Sequence, residues 1–165
     1  MRGKQLVPTV STIRVTSVNS TEQARRIDEA IAHRAYEIFE QRGGMGWHEL
    51  EDWRQAESEV RSKLCFGRTS SDDSLRVACD IAGFEEGSVE IWVAPRQITI
   101  CGKPIGHREK TAGPHPYHGL VFRVVALPAE VEVTRVFTTL KHDFLDIHLP
   151  TVRSKQQGRS LAHAV

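Results

Sequence analysis

The spacing of apolar residues changes once along the chain, near Cys65, and that change limits the folds open to it. Before Cys65 the apolar residues recur at helical intervals. After it they alternate with polar ones, the pattern of strands with one buried face. In "LRVACDIAGF", Leu75, Val77, Cys79 and Ile81 alternate with Arg76, Ala78 and Asp80. "SVEIWVAP" alternates Val89, Ile91 and Val93, and "QITICGKP" follows a turn at Pro95-Arg96. "LVFRVVALP", "VTRVFTTLK" and "FLDIHLP" complete the set. About six short strands, separated by Gly, Pro and charged turns without helical pattern between them, predict an immunoglobulin-like antiparallel β-sandwich over residues 65–150.

Residues 20–64 predict a helical hairpin. Ser20 and Gln23 fit a capping box, and Ile27, Ile31, Ala35 and Ile38 fall on one helical face. Gly43-Gly44 ends this helix, because glycine accepts the left-handed backbone of a helix terminus. "ELEDWRQAESEVRSKL" continues with Leu50, Trp53, Val60 and Leu64 as its apolar seam, after the short loop "GGMGWH". Residues 1–19 show no sustained period and read as a flexible arm; the polar, basic segment 151–165 reads as a disordered tail. The fold class is α+β.

With 165 residues the chain buries roughly 70% of its unfolded surface, enough for a sizeable core. Lys and Arg number 22 against 21 Asp and Glu, so net charge implies neither a nucleic-acid nor a membrane partner. No apolar run has the length of a signal peptide core or a membrane span. Cys65, Cys79 and Cys101 are odd in number and widely spaced, which suits a reducing cytoplasm rather than a disulfide framework.

Enzyme signals are poor. The sequence has no Gly-rich phosphate loop, G-x-S-x-G elbow or H-E-x-x-H helix, and no cofactor is expected. His107, His115 and His118, with Cys101 nearby, have a spacing that matches no zinc pattern; the expectation is a solvated loop without metal. His142-Asp143 invites an acid/base reading, but its position between Leu140 and Leu145 makes it a hairpin turn, with Asp143 tolerating left-handed backbone. Trp53 lies on the second helix's seam and is expected in the core. Trp92 alternates against Val89, Ile91 and Val93 and so points outward, where the hairpin, another subunit or a client must cover it. Arg123 stands mid-strand among apolar residues, either facing solvent or buried with a partner.

Several motifs stand in one order. Asp80-Ile81-Ala82-Gly83-Phe84 occupies the place of D-L-P-G-F, and Ile98-Thr99-Ile100-Cys101-Gly102 that of L-x-I-x-G. Gly119, Val121, Arg123, Val125, Leu127 and Pro128 match G-x-F-x-R-x-F-x-L-P in register. A final pattern runs without a gap from Val131 through Val136, Thr138, Leu140, His142-Asp143, Phe144, Leu145 and Ile147 to Pro150. Over about residues 64–150 the chain thereby resembles the alpha-crystallin domain of small heat-shock proteins. Ala82, Thr138 and Asp143 depart from the family's Pro, Ala and Gly, and the tail lacks its I-x-I docking motif. The hairpin is similar to a short bacterial domain of unknown function through Ala35, Tyr36, Gly43, Asp52, Trp53, Ala56 and Glu57.

The resemblance implies a cytoplasmic, ATP-independent holdase that binds partly unfolded client proteins through exposed apolar strand edges and the N-terminal arm. It implies a docking groove lined or supported by Val89, Ile91, Val93, Val136, Thr138 and Leu140. It ties Arg123 to the dimer interface of a homodimer or small homo-oligomer, and leaves Trp92 as a candidate partner surface. The family's dimer-exchange strand falls in the loop 103–118. The alternative is a non-enzymatic adaptor module of the co-chaperone sandwich type, bound to one folded partner.

Overall fold

The computed structural model describes residues 13–61, 64, 66–106 and 115–153. Cys65 and His107 lie outside the described residues. In chain order the elements are β1 (Arg14–Ser17), α1 (Ser20–Gln41), α2 (Glu49–Val60), β2 (Phe66–Ser70), β3 (Ser74–Asp80), β4 (Glu90–Ala94), β5 (Gln97–Gly102), β6 (Val121–Ala126), a 3-10 turn (Val133–Arg135), β7 (Phe137–Lys141) and β8 (Phe144–Pro150). One sheet has the order β2-β3-β8-β7 and is antiparallel throughout; the other has the order β1-β4-β5-β6. In the second sheet only the β1–β4 pairing is parallel.

The two sheets face each other across an apolar core. Alternation places Leu75, Val77 and Cys79 of β3 and Leu145, Ile147 and Leu149 of β8 inward from one sheet. Ile91, Val93, Ile98, Ile100 and Val125 meet them from the other. Two of the sequence motifs touch here. A Cβ on Gly102 would stand 2.8 Å from the Phe84 ring, so glycine is what lets that ring lie over the end of β5.

The hairpin packs on the outer face of β4, β5 and β6, making a third layer. Ile27, Ala30, Ile31 and Ile38 of α1 and Ala56 and Val60 of α2 bury Trp92, Cys101 and Phe122. This explains why every residue of β4 after Glu90 is buried although only alternate ones face the sandwich. The α1 face is the one its spacing predicts, but its start differs. Asn19, not Ser20, caps the helix, accepting a hydrogen bond from the Glu22 amide at 2.8 Å. Gln23 is fully buried: its Nε2 donates to the Val18 carbonyl at 2.7 Å, and its Oε1 accepts from Gln97 Nε2 and Thr99 Oγ1. Gly43 and Gly44, at φ 96° and 67°, end α1 as expected.

The buried face of α2 is Asp52, Ala56 and Val60 rather than the predicted seam through Leu50 and Trp53. Trp53 is 38% exposed and Leu50 is exposed. Small Ala56 permits close approach of the helices. Asp52 at the seam's start is held by an ion pair to Arg42 at 2.5 Å. Residues 14–17, expected within a flexible arm, form β1. The turn at 142–143 also differs: His142, not Asp143, adopts positive φ (56°). Only the first turn residue has a positive φ, as in a type II′ hairpin, and the Asp143 carbonyl accepts from the Ile81 amide at 2.8 Å.

Candidate functional site

The edge of β4 that faces away from β5 is occupied by the chain's own β1. Arg14 pairs with Glu90 and Ser17 with Val93 in parallel register; the Val18 amide extends the ladder to the Val93 carbonyl. Ile13 and Val15 alternate inward and pack against the inter-sheet core. Beneath them Val89, Ile91 and Val93 are buried, while Val136, Thr138 and Leu140, on or just before β7 of the other sheet, are half-buried. A cavity of about 300 Å³ remains at one end, lined by Ile13, Val89, Leu140, Ile81, Phe84 and His142 among others. Val136 and Leu140 pack against the core that holds Val89, Ile91 and Val93, and of the six groove residues Val89 and Leu140 line the cavity. Sequence reasoning missed the segment that covers them; its signal is the apolar alternation of Ile13-Arg14-Val15.

Trp92 is not an exposed partner surface. It is 2% exposed, with Phe122 at 5.5 Å and Tyr117 at 6.4 Å between ring centroids, and the Arg26 guanidinium 5.0 Å over its ring. Of the three covers that an outward tryptophan allows, the hairpin is the one used. Exposed apolar groups sit instead at the hairpin's tip, on Met45, Trp47 and Leu50, and on Phe137 and Phe144. Arg123 is half-buried on β6, opposite Ile100 of β5.

The loop histidines are not all solvated. His118 packs against α1 with its side chain 10% exposed, and its Nδ1 stands 2.8 Å from Oε1 of Glu37, itself 9% exposed. His33, one turn before Glu37, brings Nδ1 to 3.6 Å from the same oxygen. His115 stacks on His33 at 4.1 Å between centroids, its Nδ1 accepting from the Tyr117 amide. Burial, and next the neighbouring His115, holds the His33 pKa below its ordinary value. Cys101 takes no part: its thiol donates to the Glu90 carbonyl and burial pushes its pKa up to about 12. Spacing along the chain groups His115 and His118 with His107 and Cys101; the fold groups them with His33 and Glu37. His142 and Asp143 form the turn between β7 and β8 and border the groove cavity.

The Hsp20/alpha crystallin family pattern matches residues 68–162. The chain belongs to this family. Residues 26–62 match a second family, described as a protein of unknown function (DUF2934). No curated protein sequence matches the chain. Similar solved structures include heat shock protein 16.0 from Schizosaccharomyces pombe, at 17% identity over 63% of this chain and 100% of that one, with a TM-score of 0.46. A small heat-shock protein from Xylella fastidiosa matches at 15% identity, covering 63% of this chain and 99% of the other, with a TM-score of 0.45. Stress-induced protein 1 from Caenorhabditis elegans does so at 21%, covering 60% and 99%, with a TM-score of 0.40. Small heat-shock proteins are generally non-enzymatic chaperones, and membership supports a chaperone role in general terms. Among the described residues no helix is long and apolar enough to cross a membrane.

Proposed function

We propose that this small heat-shock protein is an ATP-independent holdase whose β4 groove is capped by its own N-terminal strand and opens when that strand peels away. The observation that carries this reading is the parallel pairing of β1 on β4. The cap is four residues long, with two of them exposed and two half-buried. An extended apolar segment of a client can make the same main-chain bonds, with its alternate side chains taking the places of Ile13 and Val15. Val89, Ile91 and Val93 are then the floor, and Val136, Thr138 and Leu140 the lip; the Thr138 hydroxyl weakens apolar docking there. The outer edge of β7, which among the described residues pairs only with β8, and the apolar hairpin tip offer further contact surface. Holding such segments lowers the free concentration of aggregation-prone chains. Arg123, on the edge strand β6, is assigned to the interface of a homodimer or small homo-oligomer in the cytoplasm.

The test is light scattering from a heat-denatured client mixed with equimolar protein. Suppression is expected, and it should increase in the Ile13→Ser, Val15→Ser double variant, whose cap binds less well. No suppression by either form sinks the holdase. One observation favours the adaptor reading instead: a groove already filled from within the chain is less available to clients. Native mass measurement separates the two. A polydisperse assembly supports the holdase, and a single sharp monomer or dimer without holding activity supports the adaptor.

A further inference from the structure

We propose that His33, Glu37 and His118 form a binding site for a divalent transition ion of the zinc class, which fastens the helical hairpin to the sandwich. Their donor atoms lie within 4.8 Å of one another. Ligands on a tetrahedral zinc, with bonds of about 2.0–2.1 Å, stand about 3.3 Å apart, so rotamer adjustments of roughly an ångström complete the geometry. The three come from two separate elements. His33 and Glu37 are one turn apart on α1, and His118 sits in a turn closed by its amide to the His115 carbonyl and followed by Gly119 at φ 71°.

Two further features point to a cation. Both ring nitrogens of His118 are buried without an aligned hydrogen-bond partner, including the Nδ1 only 2.8 Å from Glu37. Buried polar atoms are nearly always satisfied, and an ion bound by His118 and Glu37 would engage one of these ring nitrogens together with the facing carboxylate oxygen. The carboxylate is also oriented from behind. Arg34 Nη1 holds Glu37 Oε2 at 3.0 Å and its Nε pairs with Glu59, which leaves Oε1 directed at the two imidazoles. Such outer contacts are how proteins aim a ligand. His115 acts from outside as well, stacked on His33 with its Nδ1 engaged by the Tyr117 amide.

The donor set selects the ion. Two imidazoles and one carboxylate suit zinc, cobalt, nickel or copper, whereas calcium and magnesium need several oxygens. A cavity of about 30 Å³ lined by His33, Glu37, His118 and Tyr117 gives room for a water as fourth ligand. The result is three protein ligands with one open position. What it joins is the interface between the unknown-function segment and the crystallin sandwich.

The experiment uses the full chain, stripped with chelator and then titrated with Zn²⁺ by calorimetry and with Co²⁺ by visible absorption. One ion per chain, a tetrahedral Co²⁺ band, and a melting temperature raised by zinc and lowered again by EDTA are expected. His118→Gln and His33→Gln should each weaken binding more than about 100-fold, since even an outer-shell change costs 10–100-fold. His33 is a quarter exposed, so its variant keeps the test open if His118→Gln does not fold. Wild-type affinity in the folded His33→Gln variant overturns the proposal and places any zinc elsewhere, on His107 or Cys65 for instance. The absence of stoichiometric zinc in wild type overturns it as well.

Discussion

Sheet β1-β4-β5-β6 has two buried faces, and they are built differently. The face toward the other sheet is mostly apolar, with Ile91, Val93, Ile98 and Ile100 in one contiguous cluster and the half-buried Arg123 opposite Ile100 at its margin. The face toward the hairpin mixes Ile27, Ile31 and Phe122 with a hydrogen-bonded Gln23–Thr99–Gln97 group, a cation over Trp92 and the histidines around Glu37. Apolar burial is non-directional and tolerant, whereas buried polar groups demand specific partners and are costly when those are lost. The first face makes the sandwich stable; the second sets where the hairpin sits, and is the one that ions can adjust.

The largest expected effect falls on the apolar face. Ile147→Ala, at a fully buried position, should cost about 2–5 kcal/mol in chemical denaturation. Little change there would mean that the inter-sheet core is loosely packed. Gln23→Ala is expected to cost about 2–3 kcal/mol, because it strands the buried Thr99 hydroxyl and the Val18 carbonyl. Its signature is a shift of Trp92 fluorescence before the sandwich melts. A single shared transition would break the comparison and make the two faces one cooperative unit.

The cysteines sharpen the same contrast, one in each cluster. Burial raises Cys79 to about 11 and Cys101 to about 12, against an ordinary value of 9.0. The folded state therefore keeps protons that the unfolded chain loses. Their contribution to stability is complete below about pH 9 and falls as pH rises from there to about 11 for Cys79 and about 12 for Cys101. In a Cys65→Ser background, thiol labelling at mild alkaline pH should reach Cys101 before Cys79 if the hairpin undocks first. The reverse order would place the weaker seam between the sheets. The smallest effect is local: His142→Gly should stabilise by up to about 1 kcal/mol, since glycine carries no penalty at φ 56°. A thermal melt that shows a loss would mean that the His142 side chain supports the groove cavity it borders.

Much of the fold is legible in the residues. Alternation locates β3, β4, β5 and β8, the double glycine ends α1, and four motifs in order identify the sandwich. Resemblance implies six groove residues but says nothing of the strand that lies along β4. Ile13-Arg14-Val15 is too short a run to declare itself a strand without β4 to pair with. The seam of α2 misleads because Leu50 and Trp53 are the most apolar residues at helical spacing, while packing against α1 selects the small Ala56. Gln23 reads as part of a cap because its distance from Ser20 fits one, although a β-strand claims its amide.

By itself the sequence determined the order of six of the eight sandwich strands, the helical hairpin ahead of them and the family, because periodicity and turn chemistry are carried by near neighbours; β1 and β2 escaped it. It also determined that Trp92 stands on the opposite face from Val93. What lies against that face is a matter of distant segments, and only the tertiary structure decided it. Packing α1 there buried Trp92, brought His33 and Glu37 to His118, and laid β1 along β4. Each of these contacts joins residues far apart in the chain, and no local pattern encodes a partner that the backbone must first fold to reach.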